Sequence, residues 1–195
     1  MKHSQGLVEV YTGNGKGKTT AAFGLAMRSV GWGFRTLVVQ FMKMGTYGEN
    51  RSARLLGEKL EVRYVGKPYF IAWEGDIPKE DAIKVKNVRI CKRGEPPADY
   101  LEMVQNEFGK MYEETVSGKW DTVILDEINV ALHYNLLQKE QVIKLIDDKP
   151  GNVELVMTGR AIPEEIMARA DLVTEMKEIR HPYSKGVPAR RGVDF

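Results

Sequence analysis

The sequence predicts a single α/β domain with a mostly parallel sheet and helices on both of its faces. Two observations carry that prediction. Short, β-branched apolar runs recur along the chain with helical segments between them, and strands separated by helices form a parallel sheet covered on both sides. The length agrees, because 195 residues suffice for one domain with a sizeable core.

The elements follow in chain order. Residues 7–11 (LVEVY) form the opening strand, a glycine-rich loop comes next, and residues 19–30, rich in alanine and ended by Gly31, read as a helix. Residues 34–41 predict a mostly buried strand, and residues 60–65 alternate as a half-buried or peripheral strand does. Residues 122–125 and 153–157 are two further buried runs, with helices expected over residues 98–116 and 139–146. Residues 66–97 carry Pro68, Pro78, Pro96 and Pro97 around a charge-rich middle, and are expected outside the central sheet. Residues 181–195 read as an irregular tail rich in glycine, proline and basic side chains.

Composition narrows the function classes. Hydrophobic residues make up 43% and charged residues 29% of the chain, with a formal net charge of +2, which gives no electrostatic case for a nucleic-acid partner. A lone cysteine, Cys91, excludes an intramolecular disulfide framework and a cysteine-only zinc site. No apolar run approaches the ~18 residues of a membrane span, and the start has no apolar signal region. The expectation is a cytoplasmic protein without a membrane partner.

The loop is the most informative stretch. Thr12, Gly13, Asn14, Gly15, Lys16, Gly17, Lys18, Thr19 and Thr20 stand between a predicted strand and a predicted helix. Such a loop turns successive backbone N–H groups inward as an anion-binding nest, and the next helix adds its positive end. Lys18 would neutralise phosphate oxygens and the Thr19 hydroxyl would coordinate Mg²⁺. This sharpens the fold class to a P-loop NTPase-like, RecA-like domain. The loop departs from G-x-x-x-x-G-K-[ST] by having Thr12 for the first glycine, and it adds Lys16. Downstream, residues 123–127 (VILDE) have the form of the acidic strand that faces such loops. Asp126 and Glu127 are candidate carboxylates for Mg²⁺ or its waters. Which of them touches the metal stays open, as does a simple helix-capping role for the pair.

Taken together, these residues resemble the P-loop corrinoid adenosyltransferases over about Gly6 to Phe195. The resemblance rests on TGNGKGKTTAA at 12–22, VVQF at 38–41 with Lys43, Gly48-Glu49, LDE at 125–127 with Tyr134, and TGR at 158–160. It extends through ADLVTE at 170–175 and an ending with His181, Gly186-Val187 and GVDF at 192–195. The resemblance implies that cobalt(I) of a reduced corrinoid, either cobalamin or cobyrinic acid a,c-diamide, attacks the 5′ carbon of ATP and displaces triphosphate. The nucleophile then belongs to the corrinoid, and the protein orients the reactants and stabilises the leaving group. It also implies a triphosphate bound in the sense opposite to that of P-loop hydrolases. Lys18, Thr19 and Glu127 become the catalytic set, residues 12–20 with Arg160 the nucleotide site, and Thr19 with Glu127 or Asp126 the metal site.

Further expectations follow from the resemblance. Lys16 becomes a second cation on the triphosphate, against its reading as a solvated loop lysine. Thr20 adds a hydroxyl or simply begins the helix, and Arg28 is either near the nucleotide or on the surface. Better-known members carry an aromatic element where the corrinoid sits; here Tyr69, Phe70 and Trp73 are the candidates for that wall. His181 is a tail residue that could approach substrate, and Lys185, Arg190 and Arg191 either meet phosphate or a corrinoid carboxylate or form a solvated basic tail. His3 and His133 read as satisfied or solvated histidines, and Cys91 as a structural or incidental thiol. A homodimer and a reductase partner are implied. Many members carry a longer N-terminal segment covering a neighbouring subunit's site; this sequence starts almost at its first strand, so such a lid is expected to be absent or built elsewhere. Two rivals are a P-loop kinase or NTPase that cleaves the terminal phosphate, and a non-catalytic ATP-gated corrinoid-binding protein.

Overall fold

Thr36–Phe41 is buried at every position, as a strand must be when both faces of its sheet are covered. This strand, β2, lies inside a sheet that also contains β1 (Val8–Thr12), β3 (Leu60–Val65), β6 (Thr122–Asp126), β7 (Glu154–Thr158) and β8 (Leu172–Glu175). The spatial order is β3-β2-β6-β7-β1-β8, and each neighbouring pair is parallel. The computed structural model describes residues 2–76 and 87–194. Pro78 and the rest of residues 77–86, Met1, and Phe195 of the resembling ending lie outside them.

Strand alternation sorts the core into two layers. Val38, Ile124 and Val156 face α1 (Lys18–Gly31), which contributes Ala22, Phe23 and Ala26. Leu37, Val39, Val123, Leu125 and Met157 face the other way. There they meet α3 (Ala98–Val116), α4 (Ile128–His133) and α5 (Lys139–Asp148) through Val104, Phe108, Ile128 and Leu145. The predicted α/β class, parallel sheet and two-faced cover therefore describe the molecule. Two further short α-helices lie among the described residues, α2 (Gly48–Ala53) and α6 (Glu164–Met167).

Within residues 66–97, β4 (Phe70–Trp73) and β5 (Val88–Cys91) pair as a separate two-stranded parallel sheet. Sequence reading missed β8. All four of its residues are exposed, so the buried periodicity that reveals a strand is absent. Its pairing with β1 nevertheless determines the shape of the phosphate loop.

Candidate active site

The loop leaves β1 at its carboxyl end and enters α1 at Lys18. Thr12, where a glycine was wanted, is the last residue of β1 and pairs with Glu175 of β8. Its carbonyl accepts the Met176 N–H at 2.8 Å, so this position is extended backbone and needs no glycine. Gly13 does need to be glycine: its φ is +95°, and a Cβ there would stand 2.5 Å from the Met176 carbonyl oxygen. Gly15 is pinned by donating its N–H to the same carbonyl at 2.6 Å. The Lys18 ammonium is drawn inward onto the carbonyls of Gly13, at 2.7 Å, and Gly15, at 2.8 Å. Burial pushes that ammonium below its ordinary pKa, while Glu127 opposes the shift and Arg160 reinforces it.

Asp126 ends β6 with no exposed surface. Its Oδ1 accepts hydroxyl hydrogens from Thr19 at 2.9 Å and Thr158 at 2.7 Å. Its Oδ2 accepts from the Gln40 amide at 2.9 Å and the Lys43 ammonium at 2.7 Å. Four donors from α1, β2, the turn after β2, and β7 thus converge on one carboxylate. They use its roughly four acceptor positions.

Glu127 follows directly, in the left-handed region at φ 61°. Its backbone N–H donates to the Thr158 hydroxyl at 3.0 Å, which holds the turn, and its side chain lines the cleft beside the loop. Burial first, and the adjacent Asp126 charge second, push the Glu127 carboxyl above its ordinary value, against the pull of Lys43, Lys18 and Arg160. Met42 and Ala161 also take positive φ, of 59° and 50°. These three follow β2, β6 and β7, so three of the five non-glycine residues with positive φ among the described residues stand at the carboxyl edge of the sheet.

That edge opens into a cleft of about 1270 Å³. Its lining includes polar Lys18, Thr19, Lys43, Glu127 and Arg160 and apolar Phe23, Met27, Leu55 and Leu56.

Comparison with known proteins decides the family. The family described as ATP:corrinoid adenosyltransferase BtuR/CobO/CobP matches residues 4–195. The chain belongs to the ATP:corrinoid adenosyltransferase family. Among curated relatives, a corrinoid adenosyltransferase of Sinorhizobium sp. is 33% identical, over 98% of this chain and 81% of that one. Corrinoid adenosyltransferase CobA of Salmonella typhimurium is 32% identical, over 100% of this chain and 88% of that one. A solved structure, the KaiC-like protein PH0186 of Pyrococcus horikoshii OT3, superposes with TM-score 0.50 at 18% identity, covering 91% of this chain and 76% of that one. It shares the P-loop NTPase-like fold.

In this adenosyltransferase Asn14, Gly15, Lys16, Gly17, Lys18, Thr19 and Thr20 line the cleft with Arg160, whereas Thr12 and Gly13 do not. Lys16 is not simply solvated: it is ion-paired with Asp194 and donates to the Val193 carbonyl at 3.0 Å. The tail therefore closes one side of the cleft, where His181 also lies. Arg190 is engaged with Asp194, while Lys185 and Arg191 are exposed. Arg28 is exposed and does not line the cleft. Cys91 sits in β5, His3 stacks on Phe34 with ring centroids 4.0 Å apart, and His133 meets the edge of Tyr134.

The aromatic trio is not gathered as one wall. Trp73 is only 2% exposed and packs on Tyr134, and Tyr69 packs edge-on against Tyr100. Phe70 is 59% exposed, and none of the three lines the cleft. Residues an odd number apart in a strand point to opposite sides, so Phe70 and Trp73 diverge. Sequence reasoning assigned no role to Gln40, Lys43 or Thr158. Gln40 carried a signal, as a polar residue inside an otherwise apolar strand.

Among the described residues no helix is long and apolar enough to cross a membrane.

Proposed function

We propose that this adenosyltransferase takes ATP as its donor, transfers the 5′-deoxyadenosyl group to cobalt(I) of a reduced corrinoid, and releases intact triphosphate. The observation that carries the reading is one cleft lined both by cations at a phosphate loop and by apolar side chains. Its volume of about 1270 Å³ exceeds the roughly 300–1,000 Å³ of a typical small-molecule site, leaving space for part of a second substrate beside the nucleotide.

Cobalt(I) supplies an electron pair to the 5′ carbon. As the cobalt–carbon bond forms, the carbon–oxygen bond breaks, its electrons leave with the triphosphate, and cobalt becomes formally cobalt(III). Charge accumulates on the triphosphate, so catalysis asks for fixed cations and N–H dipoles there. Lys18, buried against the loop carbonyls, is assigned as the main cation, with Lys16 and Arg160 of the same cleft lining as further ones. Thr12 to Thr20 hold the phosphates, and the Phe23 and Met27 side of the cleft shields the reaction from water.

The donors also fit Mg²⁺. Thr19 and Glu127 offer hard oxygens, and among the described residues no cluster of three or more His, Cys, Asp or Glu could hold a metal alone, so phosphate and water complete the shell. Asp126, engaged by four donors including the Lys43 ammonium, orients Thr19 and has no open position for metal while Lys43 stays in place. When bound, Mg²⁺ neutralises developing charge on the leaving group.

Phe70 is the exposed member of the aromatic trio and is assigned to the corrinoid, with Tyr69 and Trp73 supporting the strand that carries it. The acceptor is cobalamin or cobyrinic acid a,c-diamide, cobalt(I) is supplied by a reductase, and the assembly is a homodimer.

The test is an anaerobic reaction of ATP with chemically reduced corrinoid, followed by the visible spectrum and by phosphate products. Equal amounts of alkylated corrinoid and intact triphosphate are expected. ADP with inorganic phosphate would instead establish a kinase or hydrolase, and tight binding of both substrates without a cobalt–carbon bond would leave a binding protein.

A further inference from the structure

Lys43 stands two residues beyond β2, and the proposed chemistry does not require it. Its ammonium is 2.7 Å from Asp126 Oδ2 and 3.1 Å from Thr19 Oγ1. Its side chain is 14% exposed and lines the cleft. Those two oxygens are what a hard cation would seek on this side of the site. The ammonium is also 5.4 Å from the centroid of the Tyr47 ring, an aromatic face that attracts a cation.

We propose that Lys43 is a built-in cation that keeps divalent metal out of the nucleotide-free site, so that metal enters only with a nucleoside triphosphate. The inference rests on the reading that the cleft takes a magnesium–nucleotide complex. Lys43 occupies a lone pair on Thr19 Oγ1 and one on Asp126 Oδ2, and its charge repels a second cation. Bare metal would have to expel the ammonium while bringing no anion to receive it. Metal arriving on a triphosphate brings that anion. Lys43 can then turn along the Tyr47 face toward the phosphates, beside Lys18 and Arg160, while metal takes its place at Thr19. The exchange is one cation for another, so the buried Asp126 charge is never left uncompensated.

Two measurements test this. Mn²⁺ binding to nucleotide-free protein, followed by electron paramagnetic resonance of the free ion, is compared for wild type, Lys43→Gln and Lys43→Arg. Lys43→Gln should bind Mn²⁺ at least about tenfold more tightly than wild type, since Asp126 and Thr19 then present open oxygens. Lys43→Arg, which keeps the charge, should remain as weak as wild type. Separately, calorimetry measures wild-type binding of the imido analogue of ATP with magnesium. Normal analogue binding together with unchanged Mn²⁺ affinity in Lys43→Gln sinks the Lys43 proposal alone. Failure of wild type to bind the analogue sinks the nucleotide reading, and the proposal with it. A saturable one-to-one Mn²⁺ site at micromolar metal in nucleotide-free wild type overturns the proposal without any variant, so it stays exposed even if Lys43→Gln does not fold.

Discussion

Asp121 and Asp126 bracket the same strand, one immediately before β6 and one at its end, and both are buried, at 1% and 0% exposure. Both are ion-paired. Asp121 accepts the Arg35 backbone N–H at 2.7 Å and faces Lys2 at 3.2 Å and the Arg35 side chain at 3.6 Å. Those cations are 41% and 48% exposed. Desolvation alone would raise the Asp121 carboxyl, but the Arg35 N–H and the Lys2 ion hold it below its ordinary value. It ties the chain together at the amino edge of the sheet, where its own carbonyl accepts the Glu154 N–H at 3.0 Å. Asp126 is held by four side chains, of which Thr19 and Lys43 line the cleft. Burial and ion pairing therefore do not distinguish the carboxylate beside the cleft from the one at the amino edge. The partners do: surface cations and backbone at one edge, cleft-lining donors at the other.

This contrast can be broken at several points. The largest effect is expected at the carboxyl edge itself: Lys18→Ala should lower adenosyl-transfer kcat/KM by about 10³-fold, while its melting temperature stays near wild type. Wild-type rates would end the assignment. Next comes the pair of aspartates. Asp126→Asn should lose about 10–100-fold in transfer, whereas Asp121→Asn should keep wild-type kcat and lose about 1–3 kcal/mol of unfolding free energy. Equal kinetic losses in both variants would erase the distinction between the edges.

Glu127→Gln should raise the magnesium concentration needed for half-maximal rate by about tenfold; an unchanged metal titration would remove Glu127 from the metal site. The smallest effect is expected at the amino edge, where Glu154 begins β7 beside Glu9. Burial, opposed by the Leu7 N–H and helped by Glu9, raises its carboxyl to about 7. Folding thus favours the protonated form. The stabilisation is present below the ordinary carboxyl range and is lost as pH rises toward about 7. Glu154→Gln should then gain about 1 kcal/mol at pH 8 and nothing at pH 4, allowing for partial solvent screening. Urea denaturation at the two pH values measures it, and a gain at pH 4 would contradict the sign.

Legibility in the sequence followed the range of the interactions. The loop is contiguous, so Gly13 to Thr20 could be read directly, and the buried strands announced themselves by continuous apolar runs. Helix α3 was read with the same bounds, Ala98–Val116, because its apolar residues recur at helical spacing. The exposed strand β8 had no such pattern, and β4 and β5 are only four residues each. The setting of Asp126 was illegible for another reason: Thr19, Gln40, Lys43 and Thr158 meet only when four elements are packed side by side. Three nearby aromatics suggested a common wall, but strand alternation sends Phe70 and Trp73 apart.

The hold of Met176 on Gly15 has a consequence for biogenesis. The motif is made early in synthesis, yet the residue that shapes it follows the last strand. A growing or truncated chain can thus carry every residue of the motif and still lack its working curvature.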